Sequence, residues 1–308
     1  EDIIAEEDVV VTISHGGFIK RFPVSGYRRQ GRGGKGVTGA GTKEDDFIEH
    51  MFVASTHQYI LFFTDKGRCY WLKVHEVPEG GRTARGRSVV NLLDKDKDDN
   101  ITAFVAVKEF REDQYLIMAT QKGTIKKTVL AAYGNVRKGG INAINLAAGD
   151  SLIEVKMTDG KNDIVIGTSH GFAIRFNEKD VRDMGRTATG VRGVRLGKGD
   201  HVVGLLVIRN DQTTVLVVTE KGFGKRSDIN DYRITKRGGK GVITVKTTDK
   251  VGKLIAMMEV VDRDELVIIS TQGMIIRQSV KDLRGMGRNT QGVRVIRLND
   301  HDSIADIA

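Results

Sequence analysis

Six times along the 308 residues, a short apolar run ends in Ser or Thr and is followed three residues later by Gly. The runs are VVVTIS (Ser14, Gly17), YILFFT (Thr64, Gly67), YLIMAT (Thr120, Gly123), DIVIGT (Thr168, Gly171), VLVVT (Thr219, Gly222) and LVIIS (Ser270, Gly273). The glycines are spaced by 50, 56, 48, 51 and 51 residues. Continuous β-branched and aromatic runs predict buried strands. The x-x-Gly after each predicts a tight hairpin, Gly taking the φ > 0 position at low steric cost. A second strand then leads into a long connection rich in Gly and Arg. Third strands are predicted at 89–93, 141–146, 194–196, 242–245 and 293–298. Asp-containing turns follow at Asp150, Asp200, Asp249 and Asp300, and fourth strands at 101–107, 152–157, 202–208 and 254–261. Helical periodicity of useful length is absent from the sequence.

Four strands in roughly 50 residues is the signature of a propeller blade. The prediction is an all-β fold, a six-bladed β-propeller of four-stranded blades forming one domain over 1–308. Residues 303–308 read as a fourth-type strand with no successor, so the last strand is expected to pair with the first blade and close the fold, removing an exposed edge. The WD dipeptide and the kelch pattern are both missing. Two further offsets support the repeat. Four residues past the hairpin Gly lies Arg21, Lys127, Arg175, Arg226 or Arg277, with Trp71 the exception. Nineteen residues past it lies Gly36, Gly86, Gly190, Gly241 or Gly292, and repeat 3 comes two residues short at Gly140.

Composition narrows the class. With 39% apolar and 29% charged residues the chain is too apolar for disorder. There are 37 Gly but only 2 Pro, which fits many turns inside an ordered fold. The single Cys, Cys69, excludes a disulfide framework and fits a reducing compartment. Apolar runs fall short of the ~18 residues a membrane helix needs. Without an initiator Met or a signal peptide, Glu1 is expected to begin an excised fragment.

The net charge of +9 is distributed unevenly. Segments 20–43, 66–93, 122–148, 171–199, 221–246 and 273–299, which follow the hairpins, hold 39 of the 49 Lys+Arg but only 8 of the 40 Asp+Glu. The same part of every repeat is therefore basic, and positive charge should gather along one rim or the outer face. A continuous basic path is what bending duplex DNA requires, because phosphates contacted along it release counterions. Few aromatics interrupt these segments, which argues against single-strand stacking. Charged loops that merely keep a β protein soluble are the plain alternative.

The densest segment is Tyr27-Arg28-Arg29-Gln30-Gly31-Arg32-Gly33-Gly34-Lys35-Gly36. Repeat 5 has a close copy from Lys236 and Arg237 to Lys240 and Gly241, and repeat 3 a weaker one at Arg137-Lys138-Gly139-Gly140. Even repeats share Gly81-Arg82-Thr83-Ala84, Gly185-Arg186-Thr187-Ala188 and Gly287-Arg288-Asn289-Thr290. Gly beside Arg and Lys lets backbone approach a phosphate while side chains supply charge and fork-shaped donors. Equally, the glycines serve as turn formers in a blade-to-blade connection, which leaves the surplus of Arg and Lys unexplained. The literal G-x-G-x-x-G at 31–36 lacks the strand and helix of a dinucleotide site, and Lys35 is followed by Gly36, not by the Ser or Thr of a P-loop. Seven scattered His give no metal spacing, and Ser14-His15 and Ser169-His170 read as solvated turns, not catalytic dyads.

The stretch Gln30-Gly31-Arg32-Gly33-Gly34-Lys35-Gly36 within six such repeats closely resembles the C-terminal domain of the bacterial DNA gyrase A protein. That family's box in its first blade is Gln-Arg-Arg-Gly-Gly-Lys-Gly, and Gly31 stands where the box has its first Arg. The resemblance covers essentially the whole chain. It implies a β-pinwheel, a propeller in which neighbouring blades exchange strands. It implies duplex DNA wrapped on a basic perimeter, which gives strand passage a fixed hand and allows negative supercoiling at the cost of ATP. It further implies, as partners, the cleavage region of the same polypeptide and the ATPase subunit of gyrase, and a bacterial cytoplasmic, nucleoid-associated setting. The catalytic Tyr, Mg²⁺ and ATP sites of that family lie elsewhere, so Tyr27, Tyr59, Tyr70, Tyr115, Tyr133 and Tyr232 are not nucleophiles, and this fragment is expected to be non-catalytic, without cofactor, metal or membrane contact. The expected DNA contacts are Lys20, Arg21, Arg28, Arg29, Gln30, Gly31, Arg32, Gly33, Gly34, Lys35, Gly36, Arg82, Arg85, Arg87, Lys126, Lys127, Arg137, Lys138, Arg175, Arg186, Arg192, Lys225, Arg226, Lys236, Arg237, Lys240, Arg277, Arg288 and Arg294. The C-terminal domain of the A-type protein of topoisomerase IV, a protein-interaction propeller without DNA binding, and a small-molecule enzyme with its site in a central channel are the alternatives.

Overall fold

The computed structural model describes residues 4–24, 46–81, 83–135 and 137–308. The strands in chain order are β1 (Asp8–Ser14), β2 (Phe18–Pro23), β3 (Ile48–Ser55), β4 (Tyr59–Thr64), β5 (Arg68–Lys73), β6 (Arg87–Ser88) and β7 (Ile101–Val107). Next come β8 (Tyr115–Thr120), β9 (Thr124–Val129), β10 (Ile141–Asn142), β11 (Leu152–Thr158), β12 (Asp163–Thr168), β13 (Phe172–Asn177), β14 (Val191–Arg192) and β15 (Val202–Ile208). The chain finishes with β16 (Thr214–Thr219), β17 (Phe223–Asp228), β18 (Val242–Ile243), β19 (Leu254–Val260), β20 (Glu265–Ser270), β21 (Ile275–Ser279), β22 (Val293–Arg294) and β23 (Ile304–Ile307). Among the described residues these make five four-stranded sheets and one three-stranded sheet, the six blades of a β-propeller fold.

Each four-stranded blade follows one rule. The hairpin (β1–β2, for example) is flanked on one side by the fourth strand of its own repeat and on the other by a two-residue strand from the next repeat. Thus β6, β10, β14, β18 and β22 pair with β2, β5, β9, β13 and β17. Neighbouring blades exchange strands in the way the resemblance implied. The chain falls into two compact units, one holding the first two sheets and the other holding the remaining four.

The Ser or Thr that ends each first strand has a specific task. In five repeats its hydroxyl accepts from the N–H four residues on, as in Ser14 from Phe18 at 3.0 Å and Thr120 from Thr124 at 3.1 Å, and in the fifth Thr219 donates to the Phe223 carbonyl at 3.3 Å. The Asp turns reach the same hairpins. Asp150 accepts from the Lys122 N–H at 2.9 Å and Asp200 from that of His170 at 3.0 Å. Ser169 donates to Asp200 at 2.8 Å and not to His170, so the Ser–His pair is a turn, as expected.

Gly190 and Gly241 need to be glycine. At φ 107° and 83° they lie in the left-handed region, and a Cβ would stand 2.5 Å from the Ile125 carbonyl oxygen and 2.2 Å from that of Ala173. These glycines let the exchanged strand lie close against the preceding blade.

Two expectations are corrected. The third strands are only two residues long: three begin where expected, at 141, 242 and 293, whereas β6 and β14 precede the expected 89–93 and 194–196, and Val89–Leu92 forms a single helical turn. The apolar residues beyond each two-residue pairing leave the sheet to cover the preceding hairpin: Thr244 and Val295 donate to the carbonyls of Gly171 and Gly222 at 2.7 and 2.8 Å, burying Val245 and Ile296 beside them. Their hydrophobicity reports burial, not strand length. In the sixth repeat Asp300 lies in the turn, as expected, and the carboxylate that reaches the hairpin is that of Asp302, which accepts from the Gln272 N–H at 3.1 Å. The last strand, β23, expected on the first blade, pairs antiparallel with β20 of its own repeat, and among the described residues its sheet consists of β21, β20 and β23. Asp302 fixes the chain to that hairpin just before β23 begins, so β23 takes the fourth-strand place that β19 takes in the fifth blade.

Candidate nucleic-acid interface

In the second unit, consecutive sheets approach one another along β11, β15, β19 and β23. The two-residue strands β14, β18 and β22 lie at the opposite edge of their sheets. Edge position and exposure go together: Arg192 on β14 and Arg294 on β22 are exposed, as is Lys240 just before β18. In the first unit, Arg87 on β6 and the Arg137–Lys138 pair ahead of β10 are likewise exposed. Lys236 and Arg277 are exposed in the second unit.

Aromatic rings hold several of these cations in place. The Lys240 ammonium sits 4.5 Å from the Phe172 ring centre and the Arg294 guanidinium 5.1 Å from that of Phe223. The Arg85 guanidinium, half-buried, lies 3.9 Å over Phe18. In each case the ring follows the hairpin Gly of one repeat and the cation belongs to the next. Such stacking restricts a long side chain without removing its charge.

A second group is placed differently from the sequence expectation. Lys126 and Lys225 are fully buried, and Lys20, Lys127, Arg175 and Arg226 nearly so. Their charged ends are taken up inside. Lys225 Nζ donates to the carbonyls of Gly287 and Thr290 at 3.0 Å each, to the Thr290 hydroxyl and to the Arg288 carbonyl. Lys126 Nζ reaches the carbonyls of Ala143 and Arg186 and the Tyr133 hydroxyl. Lys20 reaches those of Gly81 and Ala84 at 3.1 and 2.8 Å. Each of these lysines therefore clamps the Gly-Arg turn of the following even repeat. Burial pushes the Lys126 ammonium down to about 7 and the Lys225 ammonium to about 8, with the nearby Arg186 and Arg288 charges adding to the effect, and burial lowers Lys20 as well.

The basic residue four past the hairpin Gly ties the connection in the same way. Arg175 pairs with Asp163 at 2.8 Å and donates to the carbonyl of Ile229 at 2.9 Å. Arg226 pairs with Asp262 at 2.7 Å. Arg21 pairs with Glu79 at 3.0 Å, and Lys127 donates to the Glu178 carbonyl at 3.0 Å. Lys20, Arg21, Lys126, Lys127, Arg175, Lys225 and Arg226, expected among the DNA contacts, are thus engaged with the chain's own carbonyls and carboxylates. They sit on the second strand of their hairpin, where the next repeat's connection covers them. Arg186, Arg237 and Arg288 are half-buried. Arg28, Arg29, Gln30, Gly31, Arg32, Gly33, Gly34, Lys35, Gly36 and Arg82 lie outside the described residues.

A further sequence signal accompanies the two offsets described above. Fifteen residues past the hairpin Gly stands a basic residue in all six repeats: Arg32, Arg82, Lys138, Arg186, Arg237 and Arg288. The regularity is better kept than the four-residue offset, which fails at Trp71.

The family model described as the DNA gyrase C-terminal domain, β-propeller, matches six segments: 8–55, 58–107, 114–159, 162–209, 213–260 and 264–308. The chain belongs to that family. The six matched segments coincide with the six repeats. Among curated relatives, the DNA gyrase A protein of Staphylococcus aureus strain MRSA252 is 46% identical over 310 residues, covering 100% of this chain and 35% of the relative. The chain spans about a third of the length of the curated relatives it matches. A solved C-terminal domain of DNA topoisomerase IV superposes with a TM-score of 0.86 at 25% identity, covering 99% of this chain and 94% of that one. A solved DNA gyrase A C-terminal domain gives 0.75 at 25% identity, with 98% and 99% covered. Among the described residues of this gyrase-family domain, no helix is long and apolar enough to cross a membrane.

Proposed function

We propose that this gyrase C-terminal domain binds duplex DNA along its exposed basic edge and bends it with one hand. The observation that carries the reading is the placement of Arg87, Arg192, Lys240 and Arg294 at or beside exchanged edge strands, one per repeat, where each is exposed. A duplex following Arg192, Lys240 and Arg294 from blade to blade in the second unit meets phosphate contacts at repeated intervals. Binding through phosphates carries no base information, so it is sequence-tolerant, with a preference for easily bent DNA. The domain supplies geometry and not chemistry: cleavage, Mg²⁺ and ATP belong to other parts of a type IIA topoisomerase, whose cleavage region and ATPase subunit are its partners. The box at Gln30 to Gly36 and the family match favour a gyrase role in negative supercoiling. A topoisomerase IV role is the second reading, favoured by the TM-score of 0.86.

Salt titration tests the binding. With 6–10 phosphate contacts, affinity for a random-sequence duplex falls about 10³–10⁵-fold between 50 and 200 mM salt. A flat response would remove the phosphate path and favour the protein-interaction propeller.

A further inference from the structure

Arg237 and Arg288 make the same two hydrogen bonds, one repeat apart. The Arg237 Nε donates to the Asp180 carbonyl at 3.0 Å, and an Nη donates to the Arg192 carbonyl at 3.0 Å. The Arg288 Nε donates to the Asp231 carbonyl at 3.2 Å, and an Nη donates to the Ile243 carbonyl at 2.6 Å. In both cases the acceptors lie 57 and 45 residues back along the chain.

The two acceptors of each arginine belong to different sheets. Asp180 and Asp231 close the 3₁₀ turns that follow β13 and β17, the second strands of the fourth and fifth blades. Arg192 and Ile243 lie on β14 and β18, which are hydrogen-bonded into the third and fourth blades. Each guanidinium fork therefore joins two consecutive blades. A planar fork with fixed donor directions holds two acceptors at a set separation, which a flexible ammonium does not. At Arg288 the main chain is held as well, because Lys225 donates to its carbonyl and to those of Gly287 and Thr290.

These contacts leave the two arginines an unexpected role. We propose that Arg237 and Arg288 are positioning residues for DNA wrapping: their forks set the step between consecutive blades, and hence the curvature of the exposed basic edge, without themselves gripping phosphate. The inference rests on the wrapping reading above. It separates two functions that net charge alone merges, holding the DNA and shaping its path.

The test uses the 308-residue chain with the pair R237K/R288K, which keeps both charges, and the pair R237Q/R288Q, which removes them. Three quantities are measured: the salt slope of duplex affinity, the linking-number change left in a nicked circle sealed while the chain is bound, and amide exchange at Val191–Arg192 and Val242–Ile243. Both pairs are expected to keep the parental salt slope within about half a unit, to halve the linking-number change or more, and to speed exchange at the two short strands about tenfold. Phosphate grips would behave in the opposite way. The Gln pair would lose about 2 units of slope, since each lost phosphate contact removes about 1. The Lys pair would keep the full linking-number change and parental exchange. That result overturns the proposal. If a double variant fails to fold, R288K alone carries the same comparison at one junction. If the parent chain binds but leaves no linking-number change, the wrapping reading fails, and the exchange rates still decide whether the forks join the blades.

Discussion

Replacing Arg192, Lys236, Lys240 and Arg294 together by glutamine is expected to lower affinity for a random-sequence duplex by about three orders of magnitude at 0.1 M salt. All four are exposed in the second unit, and Lys240 and Arg294 are held over phenylalanine rings. Each phosphate neutralised releases close to one counterion, so each contact is worth roughly 0.9 of a decade at 0.1 M relative to 1 M salt. Four lost contacts reduce the salt slope by about 3.6 by the same arithmetic. Thermal stability should change little, because exposed charges contribute about 0–1 kcal/mol each. Filter binding or fluorescence anisotropy across 50–500 mM salt reads both quantities. An unchanged slope would mean that these residues do not meet phosphate.

The opposite split is expected for Lys225→Met. This lysine is fully buried, and its ammonium satisfies the carbonyls of Gly287, Arg288 and Thr290 together. Met fills much of the same space but donates nothing. Buried carbonyls left without a partner cost about 1–3 kcal/mol each before relaxation. Removing the desolvated cation returns part of that, since burial already holds the ammonium down to about 8. The expected net loss is about 2–4 kcal/mol, read as a lower urea midpoint at unchanged m-value. The salt slope of DNA binding by the folded variant should equal the parental one. A variant of parental stability with a reduced slope would place Lys225 on the DNA and refute the clamp.

These two expectations show where the sequence was informative. The blades were legible because a strand, a tight hairpin and a Gly at fixed offsets leave a periodic trace. The Ser or Thr before each hairpin was visible as a pattern, and its reason in five repeats is the hydroxyl that accepts the N–H four residues on. Strand exchange was not legible from spacing: nothing at Arg87–Ser88 or Val191–Arg192 says that the partner lies in the previous repeat. Only the family resemblance carried that.

The basic residues divide for a physical reason that charge counting does not see. A strand alternates its faces, yet on β17 Lys225 is fully buried and Arg226 nearly so. Lys225 lies under the Gly287–Thr290 turn, and Arg226 is tied to Asp262 and to the Val280 carbonyl. The next repeat's connection runs along this strand, with Gly285 bridged to Arg226. A buried lysine and an exposed one look identical in sequence. What distinguishes them is the chain laid over one of them some 60 residues later. The exposed set was found where a basic residue coincides with an edge strand, at Arg87, Arg192 and Arg294.

The most direct test of the account is topological. A nicked circular plasmid is saturated with the chain at low salt, sealed with ligase, stripped of protein and resolved by linking number. The account predicts a displacement of one consistent sign that grows with bound chain and vanishes as salt rises. A distribution centred where DNA sealed alone is centred, at saturating binding, would contradict it.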